Sequence, residues 1–196
     1  MMKAPVGPGV FVPVVGPSGA GKDSIIAYAR DRLGSRSDIL FARRVVTRSS
    51  DPHGEPHDTL DEASFADAEA GGAFALSWRS HGLCYGIPAN VDHTVREGGV
   101  VVANLSRASV ADAQARYVNV VPVLVSISDA VMAARLAARG REDAQQIAGR
   151  IARNADYRGF GVNCTVIDND GALEDAGEAF IRILIEALQR KPAAIA

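Results

Sequence analysis

Two glycines and a lysine set the first chemical question. Gly16-Pro-Ser-Gly-Ala-Gly21-Lys22 has the spacing Gly-x4-Gly-Lys, followed by Asp23 and Ser24. Glycines there let backbone N–H groups converge on phosphate oxygens with no Cβ in the way. A helix starting at the lysine adds the partial positive charge of its N-terminus, and the lysine reaches the β- and γ-phosphates of a nucleoside triphosphate. Gly16, Pro17, Ser18, Gly19, Ala20, Gly21, Lys22, Asp23 and Ser24 are therefore the expected nucleotide-binding segment, with Lys22 also catalytic. The position after the lysine ordinarily holds Ser or Thr as a Mg²⁺ ligand. Here Asp23 stands in that place with Ser24 behind it. A carboxylate is also a hard oxygen donor suited to Mg²⁺, so the pattern leaves both Asp23 and Ser24 open as metal ligands. ATP and Mg²⁺ are the expected cofactors. The strand Gly99 to Leu105 ends in Asn104 and Ser106, without the aspartate many phosphate-loop proteins place behind the metal.

Composition sharpens the lysine. Of 21 basic residues only Lys3, Lys22 and Lys191 are lysines, so 18 are arginines. A lysine kept at the loop position of so arginine-rich a chain is a stronger signal than usual. Six of the arginines fall between 135 and 158: Arg135, Arg139, Arg141, Arg150, Arg153 and Arg158, opposed only by Glu142, Asp143 and Asp156. Arg135 and Arg139 are four residues apart on one helix face, with Gly140 as a hinge. Such a helix–loop–helix can close over a nucleotide and bring guanidinium groups to a transferring phosphoryl, where they stabilise developing charge and exclude water. The competing account, a solvated face with ordinary ion pairs, suits Arg30, Arg32, Arg182 and Arg190.

These groups need elements to hold them. Val10 to Val15 is a short, continuously apolar run, as expected of a strand buried on both faces. The glycine loop follows, then a helix carrying Ile25, Ile26, Ala29 and Leu33 and closed by Gly34. Ile39 to Val46 reads as a second strand. Arg48 to Leu60, rich in Pro, Gly, Asp and His, reads as a long functional loop. Ser64 to Ala70 suggests a short helix, and Phe74 to Trp78 with Leu83 to Tyr85 a hairpin around Ser80-His-Gly82. Pro88 fits the first turn of a helix holding Val91 and Val95. Gly99 to Leu105 and Val118 to Ile127 are further strands, Pro122 placing one kink or edge position in the latter, with a helix over 108–115 between them. Ser128 caps a helix to Arg139, and Asp143 caps another to Tyr157. Thr165 to Ile167 is a last strand and Leu173 to Leu188 a closing helix. Alternating strands and helices imply an α/β domain with a mainly parallel sheet covered on both faces.

The 196 residues suit one domain, with 47% hydrophobic and 22% charged residues. A net charge of −2 gives no global attraction to nucleic acid or to an anionic membrane. No apolar run reaches the ~18 residues of a membrane span. Met1 to Val15 runs straight into the glycine loop without a cleavage site, so a signal peptide is not expected and the cytoplasm is the expected location. Cys84 and Cys164 are too few for a disulfide framework and read as reduced thiols. The four histidines, His53, His57, His81 and His93, all lie between 48 and 97. A zinc site on His53-x3-His57 needs a helix that Pro52, Gly54 and Pro56 forbid, and neither cysteine is close by in sequence. His93 reads as a surface residue; Phe74 and Trp78 read as core.

The loop, Val46-Thr-Arg48, Gly54-Glu55, His81 to Pro88, Arg135-Leu-Ala-Ala-Arg-Gly140 and Arg150-Ile-Ala-Arg-Asn154 occur in the order and spacing of guanylate kinases. Over about residues 8 to 188 the chain resembles that family. The resemblance implies a phosphate-loop NTPase fold in a single guanylate-kinase-like domain over 1–196. The core would be about 8–47, 98–134 and 159–190, with a substrate-binding insertion over 48–97 and a lid over 135–158. It implies Lys22 on the nucleotide phosphates, Arg48 and Tyr85 on the acceptor's phosphate, and Arg139 and Arg150 at the transferred phosphoryl. Arg135 goes with the nucleotide.

The departures are informative. By the same resemblance, the carboxylates that read guanine fall on Leu76 and Asn104, a serine falls on Ile87, and Asp51-Pro-His53 replaces a second phosphate-binding arginine. Guanine donors facing apolar groups go unpaired at about 1–3 kcal/mol each, so selection for GMP is lost. Gly-Lys-Asp-Ser, Gly54-Glu-Pro-His57, Phe74 to Pro88 and Val102-Ala-Asn-Leu-Ser-Arg107 are similar to the branch that phosphorylates ribose 1,5-bisphosphate in phosphonate catabolism. A sugar bisphosphate has two phosphates and no base, so it wants cations and hydroxyl partners. Arg48, His53, His57, Arg79, His81, Tyr85 and Arg107 could supply them, with Asn104 in the same substrate-binding set. The expected partners are ATP and this sugar bisphosphate, with neither nucleic acid nor membrane. The alternatives are a nucleoside monophosphate kinase of altered base preference and a catalytically silent interaction domain. The latter loses the loop lysine or glycines, which this chain keeps.

Overall fold

The computed structural model describes residues 4–48, 57–140, 143–154, 157 and 164–190, and omits the side chains of Arg139, Arg153 and Asn154. Its centre is β1 (Val6–Val15). Parallel to it in one sheet run β7 (Val100–Asn104), β2 (Ile39–Phe41), β9 (Val123–Ser126) and β10 (Thr165–Asp168), in the order β10-β9-β1-β7-β2. The short β8 (Tyr117–Val120) also pairs with β1 in parallel.

Period-two alternation divides the core between the two sheet faces. Val10, Val12 and Val14 of β1, with Val100 and Val102 of β7, meet α1 (Lys22–Leu33), α5 (Asp129–Arg139) and α7 (Leu173–Gln189) through Ile25, Ile26, Met132, Leu136, Phe180 and Leu184. Phe11 and Val15, with Val101 and Ala103, face α3 (Val91–Arg96) and α4 (Val110–Arg116) through Val91, Val95, Val110 and Ala113. Helices therefore cover both faces, as the alternating pattern implies. On the α3 side, Asp92 is 4% exposed and accepts hydrogen bonds from Arg116 and from the Tyr117 hydroxyl. Burial beside that carboxylate pushes the tyrosine pKa up.

A second sheet, β4-β3-β6-β5, is built from β3 (Arg44–Val46), β4 (His57–Thr59), β5 (Phe74–Ser80) and β6 (Leu83–Pro88). Here β3 and β4 are parallel while β6 runs antiparallel to both β3 and β5. The helix α2 (Glu62–Ala70) precedes β5, its Asp61 cap accepting from Ser64 N. The remaining helix, α6 (Ala144–Asn154), starts at a capping box in which Asp143 and Gln146 each accept the other's backbone N–H.

Three sequence readings are corrected. The single strand expected over Ile39 to Val46 is two strands in different sheets. Ala42 N still bonds to Val102 O, at 2.8 Å, but Arg43 turns out to an ion pair with Asp58 and the chain crosses to the second sheet. The run Val118 to Ile127 divides into β8 and β9 at Pro122, which has no N–H to donate. Both pieces lie against successive parts of β1, and the Pro122 carbonyl accepts from Thr165 N at 2.9 Å. Pro88 ends β6 and is not in a helical turn, because Ala89 N continues the hairpin pairing to Ala73 O at 2.8 Å. Of the expected functional loop over 48–60, residues 49–56, including His53 and Glu55, lie outside the described residues; 57–59 are strand β4.

Candidate active site

The phosphate loop leaves the carboxyl end of β1 and enters α1 at Lys22. Its shape depends on backbone that disfavours side chains. Gly16 has φ 152°, and a Cβ there would lie 2.5 Å from Val125 O; Gly21 caps α1 in the left-handed region at φ 87°. The Lys22 ammonium folds back along the loop, donating to Gly16 O at 2.8 Å and Pro17 O at 2.9 Å. Those bonds hold the cation beside the loop's backbone.

Two arginines of the charged segment reach this loop. Arg150, on α6, donates to Ser18 Oγ. Arg135, on α5, donates to Gly171 O at 3.3 Å and brings Nη1 within 3.9 Å of where a Cβ on Gly21 would stand. Ser128 starts α5 by accepting from Val131 N, and Gly140 ends it at φ 61°. Arg139 is the last residue of that helix; its side chain, like residues 141–142 and 158, lies outside the described residues.

Asn169 is a site residue that the sequence reading missed. It is 2% exposed, and its amide donates to Ala20 O at 2.7 Å. A Cβ on Gly21 would come within 2.4 Å of that nitrogen, so the side chain packs on the loop itself. Its Oδ1 is buried without a hydrogen-bond partner among the described residues. The only signal was its position just after a strand, and the partner is 149 residues away.

Asp23 and Ser24 are both exposed on the first turn of α1. Asn104, buried at the carboxyl end of β7, donates Nδ2 to Asp23 Oδ1 at 2.7 Å. The donor set fits Mg²⁺ and not zinc. It offers a carboxylate and a hydroxyl, both hard oxygens, beside a loop shaped for phosphates. Among the described residues no group of three His, Cys, Asp or Glu could hold a metal ion. Mg²⁺ characteristically binds through one or two protein oxygens plus substrate phosphates and water.

Three of the candidate acceptor residues, Arg48, His57 and Tyr85, lie on or beside the second sheet. Val46 pairs with Tyr85 and Val45 with Gly86, so Arg48 follows β3 just past Tyr85. Thr47 N bonds to Cys84 O and Thr47 Oγ1 accepts from Cys84 N, locking that edge. The Arg48 carbonyl is held by Thr59 Oγ1 at 3.1 Å and lies 3.4 Å from His57 Nε2, leaving the arginine exposed. His57 is 5% exposed, so it supports Arg48 from within the sheet. Tyr85 stacks on Trp78 at 5.3 Å between centroids, with the Arg44 guanidinium 5.6 Å from its ring. Arg107, after β7, lies over the Tyr157 ring at 5.1 Å.

Two other candidates stand apart from this group. His81 is at the exposed tip of the β5–β6 hairpin with φ 51°, a turn position. Arg79 is engaged by Glu69 through two hydrogen bonds, at 3.1 and 2.6 Å. Leu76 and Ile87 pair directly across β5 and β6, 7% and 0% exposed, in the same apolar cluster as Val15 and Leu105. Two of the positions aligned with guanine-reading groups are thus a closed aliphatic contact, and the third, Asn104, donates to Asp23.

No family model matches the chain. Curated relatives do. The chain is 50% identical over 184 residues to ribose 1,5-bisphosphate phosphokinase PhnN of Chelativorans sp. (strain BNC1), covering 93% of this chain and 88% of that protein. It is 48% identical to the protein of the same name from Pseudofrankia inefficax, over 93% and 94% of the two chains. For that from Brucella melitensis biotype 2 the figures are 43%, 94% and 96%. Among solved structures, the guanylate kinase of Anaplasma phagocytophilum superposes with a TM-score of 0.66 at 16% identity, covering 97% of this chain and 90% of that one. That likeness shows the phosphate-loop α/β fold.

Proposed function

The chain belongs to the ribose 1,5-bisphosphate phosphokinase family, and we infer that its site carries the γ-phosphoryl of ATP to the 1-phosphate of ribose 1,5-bisphosphate. An oxygen of the acceptor's 1-phosphate attacks the γ-phosphorus. The bond from that phosphorus to the β–γ bridging oxygen breaks, leaving ADP and 5-phosphoribosyl 1-diphosphate. The reaction needs no covalent nucleophile from the protein, because positioning and charge stabilisation supply nearly all of the catalysis.

The placement of the described side chains, and for Arg139 the family resemblance, support the following roles. The phosphate-loop amides and Lys22 hold the β- and γ-phosphates, while Arg135, Arg139 and Arg150 bring positive charge from α5 and α6 and exclude water. Arg48 and Tyr85 orient the acceptor, with His57 bracing Arg48 and with Arg107 and Asn104 at the end of β7. Bound Mg²⁺ would neutralise charge on the phosphate oxygens, with Asp23 or Ser24 as its protein ligand. We place the reaction in the cytoplasm and in phosphonate catabolism, in keeping with the family resemblance. Among the described residues no helix is long and apolar enough to cross a membrane.

The observation that carries the acceptor assignment is the Leu76–Ile87 contact. It leaves no acceptor group at those positions for guanine's N1–H and N2–H₂ while the phosphate-binding residues persist. The test is ³¹P NMR of enzyme, MgATP and ribose 1,5-bisphosphate. Appearance of a new diphosphate pair as the 1-phosphate resonance disappears is the expected result. ATP consumed with GMP but not with the bisphosphate would overturn the reading.

A further inference from the structure

We propose that the phosphate loop and its neighbouring strand have exchanged their metal-site side chains, so that Asp23, and not Ser24, ligates the Mg²⁺ of the bound nucleotide and Asn104 is the residue that positions it. The proposal rests on the nucleotide-binding reading above and deepens it. In phosphate-loop enzymes the residue after the lysine supplies a hydroxyl and an adjacent strand supplies the carboxylate. Here the carboxylate follows the lysine and the strand ends in a neutral amide. The two side chains touch, Asn104 Nδ2 to Asp23 Oδ1 at 2.7 Å. The pair therefore keeps one negative charge in one place, carried by the opposite partner.

Burial explains which partner is charged. Asn104 is 5% exposed while Asp23 is exposed, and burying a carboxylate costs far more than burying a hydrogen-bonded amide. The amide also fixes direction. An ionised carboxylate only accepts, so the contact must be Asn104 donating to Oδ1, which leaves Oδ2 for a cation. Ser24 lies about 100° further round the helix, whereas Asp23 is the residue that Asn104 of β7 contacts. Without metal, Asp23 is a negative charge beside the nucleotide's phosphates and opposes binding; with metal it becomes an attractive ligand. The charge thus has opposite signs of effect in the two conditions, which no merely structural role reproduces.

The experiment titrates a fluorescent ATP analogue into wild type, Asp23→Asn, Asn104→Ala and the exchanged double variant Asp23→Asn/Asn104→Asp, each in excess EDTA and in Mg²⁺. In wild type, Mg²⁺ should tighten binding by about 10–100-fold, the usual scale for a metal ligand and its support. Asp23→Asn should lose most of that increment while binding in EDTA as tightly as wild type or more so. Asn104→Ala should reduce the increment by about tenfold with EDTA binding unchanged. The double variant should regain the increment to within about threefold, a non-additivity expected only of coupled partners. A full increment in Asp23→Asn or in Asn104→Ala overturns the proposal, as does a double variant that binds in EDTA yet shows no recovery. Transfer to ribose 1,5-bisphosphate is a separate readout: its absence in wild type with these increments intact would overturn the proposed reaction and leave the exchange standing.

Discussion

At the scale of single residues, the site separates into groups legible from local sequence and groups that only folding assembles. Lys22 was legible because a phosphate loop is one contiguous motif, with its strand, turn and helix all adjacent in the chain. Replacing Lys22 with alanine should leave the fold intact, since the half-buried side chain bonds to the loop's own Gly16 and Pro17 carbonyls and not into the hydrophobic core. Turnover should fall by orders of magnitude, and near-wild-type turnover would remove the loop from the mechanism. Arg150 stands out in the sequence through the arginine excess and through the family resemblance, and the structure bonds it to Ser18 of the loop. Arg150→Ala and Arg139→Ala should each depress kcat more than they raise the ATP KM, because contacts to developing charge strengthen in the transition state. Arginines in this role contribute on the order of 10³-fold or more, so steady-state kinetics separate them from a solvated face, for which kcat would not change. Asn169 was not legible. Asparagine is common after strands, and nothing at that point names a loop 149 residues earlier.

At the scale of elements, periodicity identified most strands and helices but not which sheet each joins. Ile39 to Val46 is apolar enough to be one strand; the break at Ala42 and Arg43 comes from two sheets competing for its ends. The hairpin β5–β6 was legible from Gly82 and its flanking apolar runs, yet the commitment of Arg79 was not. Its partner Glu69 lies on α2, and the pair ties that helix to β5. Arg79 and Ser77 hydrogen bonds hold the Glu69 carboxyl down at about 2, from an ordinary 4.5. A depressed carboxylate stabilises the fold above its unfolded pKa, and the contribution fades as pH falls through the folded one. Glu69→Gln should therefore be less stable than wild type at pH 7, with the difference shrinking as pH falls from about 4.5 towards 2. Arg79 is 59% exposed, so solvent screening keeps the difference small. Denaturant unfolding at pH 7 and pH 3 measures it; a pH-independent difference would mean that packing, not charge, ties α2 to β5.

At the scale of the molecule, strand order explains why the site lies where it does. Along β10-β9-β1-β7, successive carboxyl ends lead to Asn169, Arg135 of α5, the phosphate loop and Asn104. Ligands of open α/β sheets bind at those ends, and the second sheet brings up the candidate acceptor residues Arg48, His57 and Tyr85. In the proposed reaction cations would meet the phosphates from both sides, while Leu76 packs against Ile87 at two positions that the guanylate-kinase resemblance assigns to base reading. The central claim is that this enzyme recognises phosphates and sugar and is blind to the base. The direct test is kcat/KM for ribose 1,5-bisphosphate, GMP, AMP and ribose 5-phosphate on one preparation. The bisphosphate should be the good substrate, GMP and AMP comparably poor, and ribose 5-phosphate inert for want of a 1-phosphate. GMP as the best acceptor, with AMP far behind, would contradict the account and return the chain to the guanylate kinases.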